Sequence, residues 1–104
     1  MEIQLEQIDV KNIIENNSNV VFDFYAEWCG PCQTLLPTIN KLADELKSDV
    51  TIKKINVDDY PELAAKFNVR NIPTLIFFKN GEPADRHTGL ITEGNLRSKI
   101  DRLK

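Results

Sequence analysis

The sequence predicts an α/β fold built on a mixed sheet, and three features carry that expectation. Residues 20–26, Val-Val-Phe-Asp-Phe-Tyr-Ala, are apolar on both alternating faces except at Asp23, as in an interior strand covered on both sides. Strand-like and helix-like segments alternate along most of the chain, which implies parallel crossover connections. Near the end, Asn80-Gly81 separates two strand-like runs, a hairpin signal that makes the last pair antiparallel.

Taken in order, residues 3–5 read as a first strand and 9–15 as a first helix. The interior strand at 20–26 follows a polar turn, Glu15-Asn16-Asn17-Ser18-Asn19. Residues 32–47 place Leu35, Leu36, Ile39, Leu42, Ala43 and Leu46 at helical spacing. Pro37 falls inside that helix and is expected to kink it, since it removes a backbone donor and crowds the preceding turn. A strand at 50–57 comes next, then a short helix at 61–67 with Pro61 in its first turn. Thr74–Lys79 is a clear strand and 84–88 a weaker one. The closing helix, 92–103, carries Leu96, Ile100 and Leu103, with Thr92 as N-cap and Glu93 in the first turn. No repeat, linker or low-complexity tract interrupts the 104 residues, which amount to a single domain, 1–104.

Composition narrows the function. Hydrophobic residues make up 41% and charged residues 28%, enough apolar material for one core and too much for a disordered chain. The net charge of -3 offers no electrostatic footprint for nucleic acid or an anionic membrane. No apolar run approaches the roughly 20 residues that span a bilayer. The opening Met1-Glu2-Ile3-Gln4-Leu5-Glu6 lacks the basic and apolar regions of a secretory leader, so a cytoplasmic location is expected, where structural disulfides are uncommon. With a core sufficient for one domain and no surplus apolar stripe, the chain is expected to be a monomer.

The chain has two cysteines, in Trp28-Cys29-Gly30-Pro31-Cys32. A bridge between them closes too short a loop to stabilise the fold much. A closed zinc site needs four ligands, and the single distant His87 is the only other soft donor, so no metal site is expected. Reversible dithiol chemistry remains. Cys29 follows the interior strand and begins a helix, where unpaired N–H groups and the positive dipole end favour thiolate over thiol. Thiolate is the nucleophile of disulfide exchange, so Cys29 is the expected attacking sulfur. Cys32, three residues on, lies on the same helical face and can reach back to it. Pro31 suits a first helical turn, and Gly30 permits close approach by another chain. In the expected cycle Cys29 forms a mixed disulfide with the target, and Cys32 then attacks Cys29 and releases the reduced target.

The run Phe22-Asp23-Phe24-Tyr25-Ala26-Glu27-Trp28-Cys29-Gly30-Pro31-Cys32 resembles the active-site segment of the thioredoxin family. Asn71-Ile72-Pro73-Thr74 and Lys79-Asn80-Gly81-Glu82 resemble its later signatures, in the expected order, so the likeness covers essentially the whole chain. It implies a thioredoxin fold, a five-stranded mixed sheet flanked by four helices. It also implies a general protein-disulfide reductase with no bound cofactor beyond the redox-active Cys29–Cys32 pair, recharged by thioredoxin reductase with electrons from NADPH. The partners are then that reductase and disulfide-containing proteins. Two residues depart from the family: Tyr25 stands where tryptophan is common, and Gln33 where a lysine often follows the second cysteine.

Several neighbours of the dithiol have expected roles. Asp23 is the one acid in an apolar strand. Desolvated there, it would have a raised pKa and could exchange protons with Cys32; at an edge strand it would simply face water. The same-face neighbours Val21 and Tyr25 favour burial. Lys53 and Lys54 point to opposite faces of one strand, and strand lysines usually snorkel to water. The resemblance places Lys54 close to the buried acid. Pro73 reads on its own as a strand-start proline; the resemblance implies a cis Ile72–Pro73 bond facing the dithiol, exposing the Ile72 backbone to an extended target segment. Trp28, Gly30, Pro31, Ile72, Pro73 and Gly89 match the family's target-docking surface, although Gly89 reads equally as a turn residue. His87 is expected on the surface, without a catalytic role. Two other functions fit the pattern less well. An isomerase or oxidase shares the chemistry, but Gly-Pro between the cysteines favours the reducing family. A redox-independent binding module would use only the apolar face.

Overall fold

The structure, a computed structural model, describes residues 10–104. Residues 10–16 are helical and are labelled α1. There follow β1 (Asn19–Tyr25), α2 (Gly30–Glu45), β2 (Thr51–Asn56), α3 (Pro61–Lys66), β3 (Thr74–Lys79), β4 (Glu82–Thr88) and α4 (Glu93–Leu103). The four strands form one mixed sheet in the order β2-β1-β3-β4. β1 pairs with β2 in parallel and with β3 antiparallel, and β3 pairs antiparallel with β4. The sheet therefore has four strands among the described residues rather than five. The first expected strand, at 3–5, and the start of the first helix lie outside them.

The interior position of β1 explains its composition. Alternate residues feed two separate cores, because side chains leave a strand on opposite faces. Val21 packs with Leu35, Ile39 and Leu42 of α2 and Leu96 and Ile100 of α4. Val20, Phe22 and Phe24 join Val10, Leu63 and Ala64 on the other face. There Phe22, Phe24, Phe67 and Phe78 make mostly edge-to-face contacts, with ring centroids 5.2–6.2 Å apart. Helices thus cover both faces of the sheet, with β1 and β3 between them.

Local chemistry sets the ends of the elements. Thr92 Oγ1 accepts from the Asn95 N–H at 3.1 Å, capping α4. Asn68, in the left-handed region at φ 57°, stops α3 while the Val69 N–H returns to the Ala64 carbonyl at 2.8 Å. Asn80 and Gly81 both have positive φ, as a tight hairpin turn with right-handed strand twist requires. β4 starts two residues before the expected position, because pairing with β3 resumes directly after this turn. Its register shifts opposite Phe77 and Phe78, where edge-strand Pro83 sits without an inner ladder bond to donate. α2 runs through Pro37 without a break. That ring lies on the exposed face, so the carbonyl it cannot pair is open to water. No helix among the described residues is long and apolar enough to cross a membrane.

Candidate functional site

β1 delivers the chain to the head of α2, and the two cysteines meet there. Cys29 is the N-cap, in extended conformation, and Cys32 lies in the first turn. Their Cα atoms are 5.2 Å apart and the sulfurs are joined in a disulfide. Cys29 Sγ accepts from the Cys32 N–H at 3.2 Å. That donor is one of the orphan amides of a helix start, so when the disulfide opens it faces the charge of a Cys29 thiolate. The sequence expectation that the strand–helix junction favours thiolate thus has a specific atom behind it. Both residues are buried, at 5% and 3% exposure, in a small cluster with Ala26 and with the half-buried Tyr25, Val57 and Ile72.

The surroundings of the disulfide are apolar and open on one side. Trp28 is 71% exposed, one of two large hydrophobic side chains among the described residues that stand out in water, the other being Leu90. Its indole Nε1–H donates to Asp58 Oδ2 at 2.7 Å, which fixes the ring across the chain from the turn after β2. Gly30 and Pro31 are exposed, and a Cβ built at Gly30 meets nothing within 4 Å. Internal packing therefore does not demand glycine there; the free space lies on the side from which another chain can approach.

The Ile72–Pro73 peptide bond is cis. The Ile72 carbonyl oxygen lies 3.8 Å from Cys29 Sγ, which brings this loop against the disulfide. Pro73 itself is buried, so this loop presents Ile72 rather than the proline ring. The Pro73 carbonyl accepts from the Gly89 N–H at 2.8 Å, tying the loop to the end of β4. Gly89 has φ +97° and no atom within 4 Å of an added Cβ. Its conformation, not crowding, calls for glycine.

Asp23 lies in β1, six residues before Cys29 in the sequence. It is 1% exposed, and its Oδ1 has no hydrogen-bond partner. Burial pushes its carboxyl up to about 7, with the Lys54 ammonium pulling weakly the other way. The alternative of an edge-strand acid facing water is removed by the sheet order, since β1 has β2 on one side and β3 on the other. Lys53 and Lys54 are both exposed, as expected of strand lysines that snorkel. Lys54 Nζ donates to Asn40 Oδ1 of α2 at 3.0 Å. Gln33, in place of the frequent lysine, turns its amide back to the Ala26 carbonyl at 3.4 Å. One ring nitrogen of half-buried His87 is 3.0 Å from the Leu90 carbonyl oxygen, a local contact at the end of β4.

Sequence reasoning missed Asp58 and Asn40. Asp58 looks like any turn acid, and only the fold brings it to Trp28, thirty residues away. Asn40 is a polar residue on the outer face of a helix, and nothing in its local pattern marks it. Among the described residues no group of three or more His, Cys, Asp or Glu side chains is placed to hold a metal ion.

Comparison with known proteins agrees with this geometry. The family model described as thioredoxin matches residues 2–102. A thioredoxin from Pyropia yezoensis is 40% identical over 92 residues, covering 88% of this chain and 86% of that protein. A thioredoxin from Rickettsia felis is likewise 40% identical over 92 residues, 88% of each. Among solved structures, a mutant thioredoxin from Halobacterium salinarum superposes with a TM-score of 0.86 at 38% identity, covering 93% of this chain and 84% of that one. Oxidised mitochondrial thioredoxin 3 from Saccharomyces cerevisiae does so with a TM-score of 0.84 at 32% identity, covering 92% and 89%.

Proposed function

The chain belongs to the thioredoxin family, and from that premise we infer that it reduces disulfide bonds in other proteins by dithiol–disulfide exchange. One observation carries this reading. The Cys29–Cys32 disulfide sits at the head of α2, with the Cys32 amide directed at Cys29 Sγ. In the reduced protein that amide stabilises the Cys29 thiolate, which attacks one sulfur of a target disulfide. The target S–S bond breaks, a mixed disulfide forms, and the departing sulfur takes up a proton. Cys32 then gives up its proton, attacks Cys29 Sγ, and expels the second target sulfur. The target gains two electrons and two protons, and the chain returns to its disulfide form.

Asp23 serves the second step. A carboxyl that titrates near neutrality can accept the Cys32 proton and return it in the next cycle, whereas an ordinary aspartate is too weak a base. Trp28, Gly30, Pro31, Ile72 and Gly89 form the target-docking region in this reading, with buried Pro73 holding the loop beneath it and Ile72 offering its backbone to an extended segment. Recharging takes two electrons from outside the chain. A thioredoxin reductase drawing on NADPH in the cytoplasm supplies them, and no cofactor stays bound.

The test is the equilibrium potential of the dithiol, titrated against dithiothreitol or glutathione redox buffers. A value below the glutathione pool, more negative than about -220 mV, is expected of a reductase. A value near the roughly -180 mV of disulfide isomerases overturns the reducing role. The absence of any reversible two-electron couple overturns the redox reading itself.

A further inference from the structure

Asp23 and Lys54 are direct register partners in the parallel β1–β2 pair, so their side chains leave the sheet on the same face. A buried carboxylate beside a lysine on the next strand normally draws the ammonium into an ion pair. Here no ion pair joins the two among the described residues. Asp23 Oδ1 is left without a partner, and Lys54 Nζ is bonded to Asn40 Oδ1 at 3.0 Å, on the exposed side of α2. The other elements line this face with Leu35 and Ile39 of α2, Leu96 and Ile100 of α4 and Leu75 of β3; Lys99 of α4, above the Phe77 ring, is paired with Asp85 at 2.7 Å. The remaining titratable neighbours are Tyr25 on the same face of β1 and Cys32 at the head of α2. Lys54 is the charge that acts on the carboxyl, and its position is set from α2.

We propose that Asn40 is a positioning residue for the Asp23 carboxyl: its amide oxygen holds the Lys54 ammonium at the surface, away from the carboxyl. A neutral amide suits this task. It accepts from the ammonium and adds no charge of its own to the face. Loss of the acceptor frees a long, flexible cation on the register partner of Asp23, whose Oδ1 is unpaired. Ionised Asp23 then gains a partner, and the carboxyl gives up its proton at lower pH. The consequence for turnover rests on the proton-exchange role of Asp23 given above, but the holding contact is measurable without it.

The experiment follows the Asp23 side-chain carboxyl carbon by NMR through a pH titration of the reduced full chain. The parent is compared with Asn40→Ala, Asn40→Gln, Lys54→Met and the double variant Asn40→Ala/Lys54→Met. Asn40 is exposed, so none of its substitutions threatens the core. In Asn40→Ala the Asp23 midpoint is expected to fall by roughly half a pH unit, the scale of one exposed charge brought nearer. Asn40→Gln, which keeps an acceptor, retains most of the parent midpoint. In the Lys54→Met background, Asn40→Ala produces no further shift. A midpoint that stays put or rises in Asn40→Ala overturns the proposal, and so does an equal fall without Lys54. The proton-exchange reading fails separately, if Asp23→Ala turns over as fast as the parent across the pH range.

Discussion

Replacing Asp23 with alanine should make the protein more stable at neutral and alkaline pH, and the gain should vanish in acid. The carboxyl is moved by burial from 3.8 to about 7. At about 1.4 kcal/mol per unit, three units amount to about 4 kcal/mol of preference for the neutral form in the folded state. Below the unfolded value both states hold the proton and the group costs nothing. Between roughly pH 4 and pH 7 the unfolded chain releases the proton while the folded chain keeps it, so stability falls as pH rises. Above pH 7 both states are ionised and the penalty stays at its full size. Alanine removes that penalty but leaves a void the size of a carboxyl, at about 1 kcal/mol. The net expectation is a variant about 3 kcal/mol more stable than the parent at pH 8, and equal or slightly weaker at pH 4. Urea unfolding of both proteins in the disulfide form, at pH 4, 6 and 8, measures this directly. A stability difference that does not change with pH refutes the reasoning, because the ionisation of Asp23 would then not be the source. The variant should also reduce a disulfide substrate about a hundredfold more slowly near pH 7, the lower end of the range for a lost general acid–base group.

Two further substitutions test the remaining parts of the site. Cys32→Ser should accumulate a covalent mixed disulfide between Cys29 and a target protein, visible as a band on a non-reducing gel that reductant removes. Cys29→Ser should form none, and equal trapping by both variants would reverse the assigned order of attack. Gly89→Ala forces a side chain into φ +97°, so it should cost about 1 kcal/mol in urea unfolding despite the open space around the position.

The elements that sequence could reveal are those specified by near neighbours along the chain. The two-sided apolar run of β1, the spacing of Leu96, Ile100 and Leu103, the Thr92 cap and the Asn80-Gly81 turn are all local, and each appears within a residue or two of its expected place. The adjacent cysteines belong to the same class, since three residues and a helix start suffice to bring them together. Contacts that depend on which strands lie side by side were not legible. Lys53 and Lys54 look anomalous in a strand covered by helices, until β2 proves to be the outermost described strand, where long side chains can run past the helices to water. The neighbours of Trp28 point to a partly exposed rim, but its bond to Asp58 depends on the turn after β2. The cis bond at Pro73 is a tertiary choice, because proline allows either isomer at small cost.

The site follows from a conflict that the fold leaves unresolved. Every neighbour of Asp23 that makes β1 a good interior strand also makes its carboxylate expensive, and a leucine or valine there would give a more stable protein. The same dry surroundings are the only means by which this chain could hold a carboxyl that exchanges protons near pH 7, since no ordinary aspartate does so in water. Pairing with Lys54 would relieve the cost but return the carboxyl to its usual acidity, and the Asn40 contact opposes that outcome. Stability is thus withheld at the one interior position where chemistry needs a titrating group, a pattern expected of a functional residue and not of a packing error. The arrangement also supports the proposed order of the cysteines. The sulfur with a helix amide aimed at it can remain ionised without help and can wait for a target. In the proposed cycle the other sulfur must shed a proton on demand, and the buried carboxyl of Asp23 in β1 is the group assigned to take it.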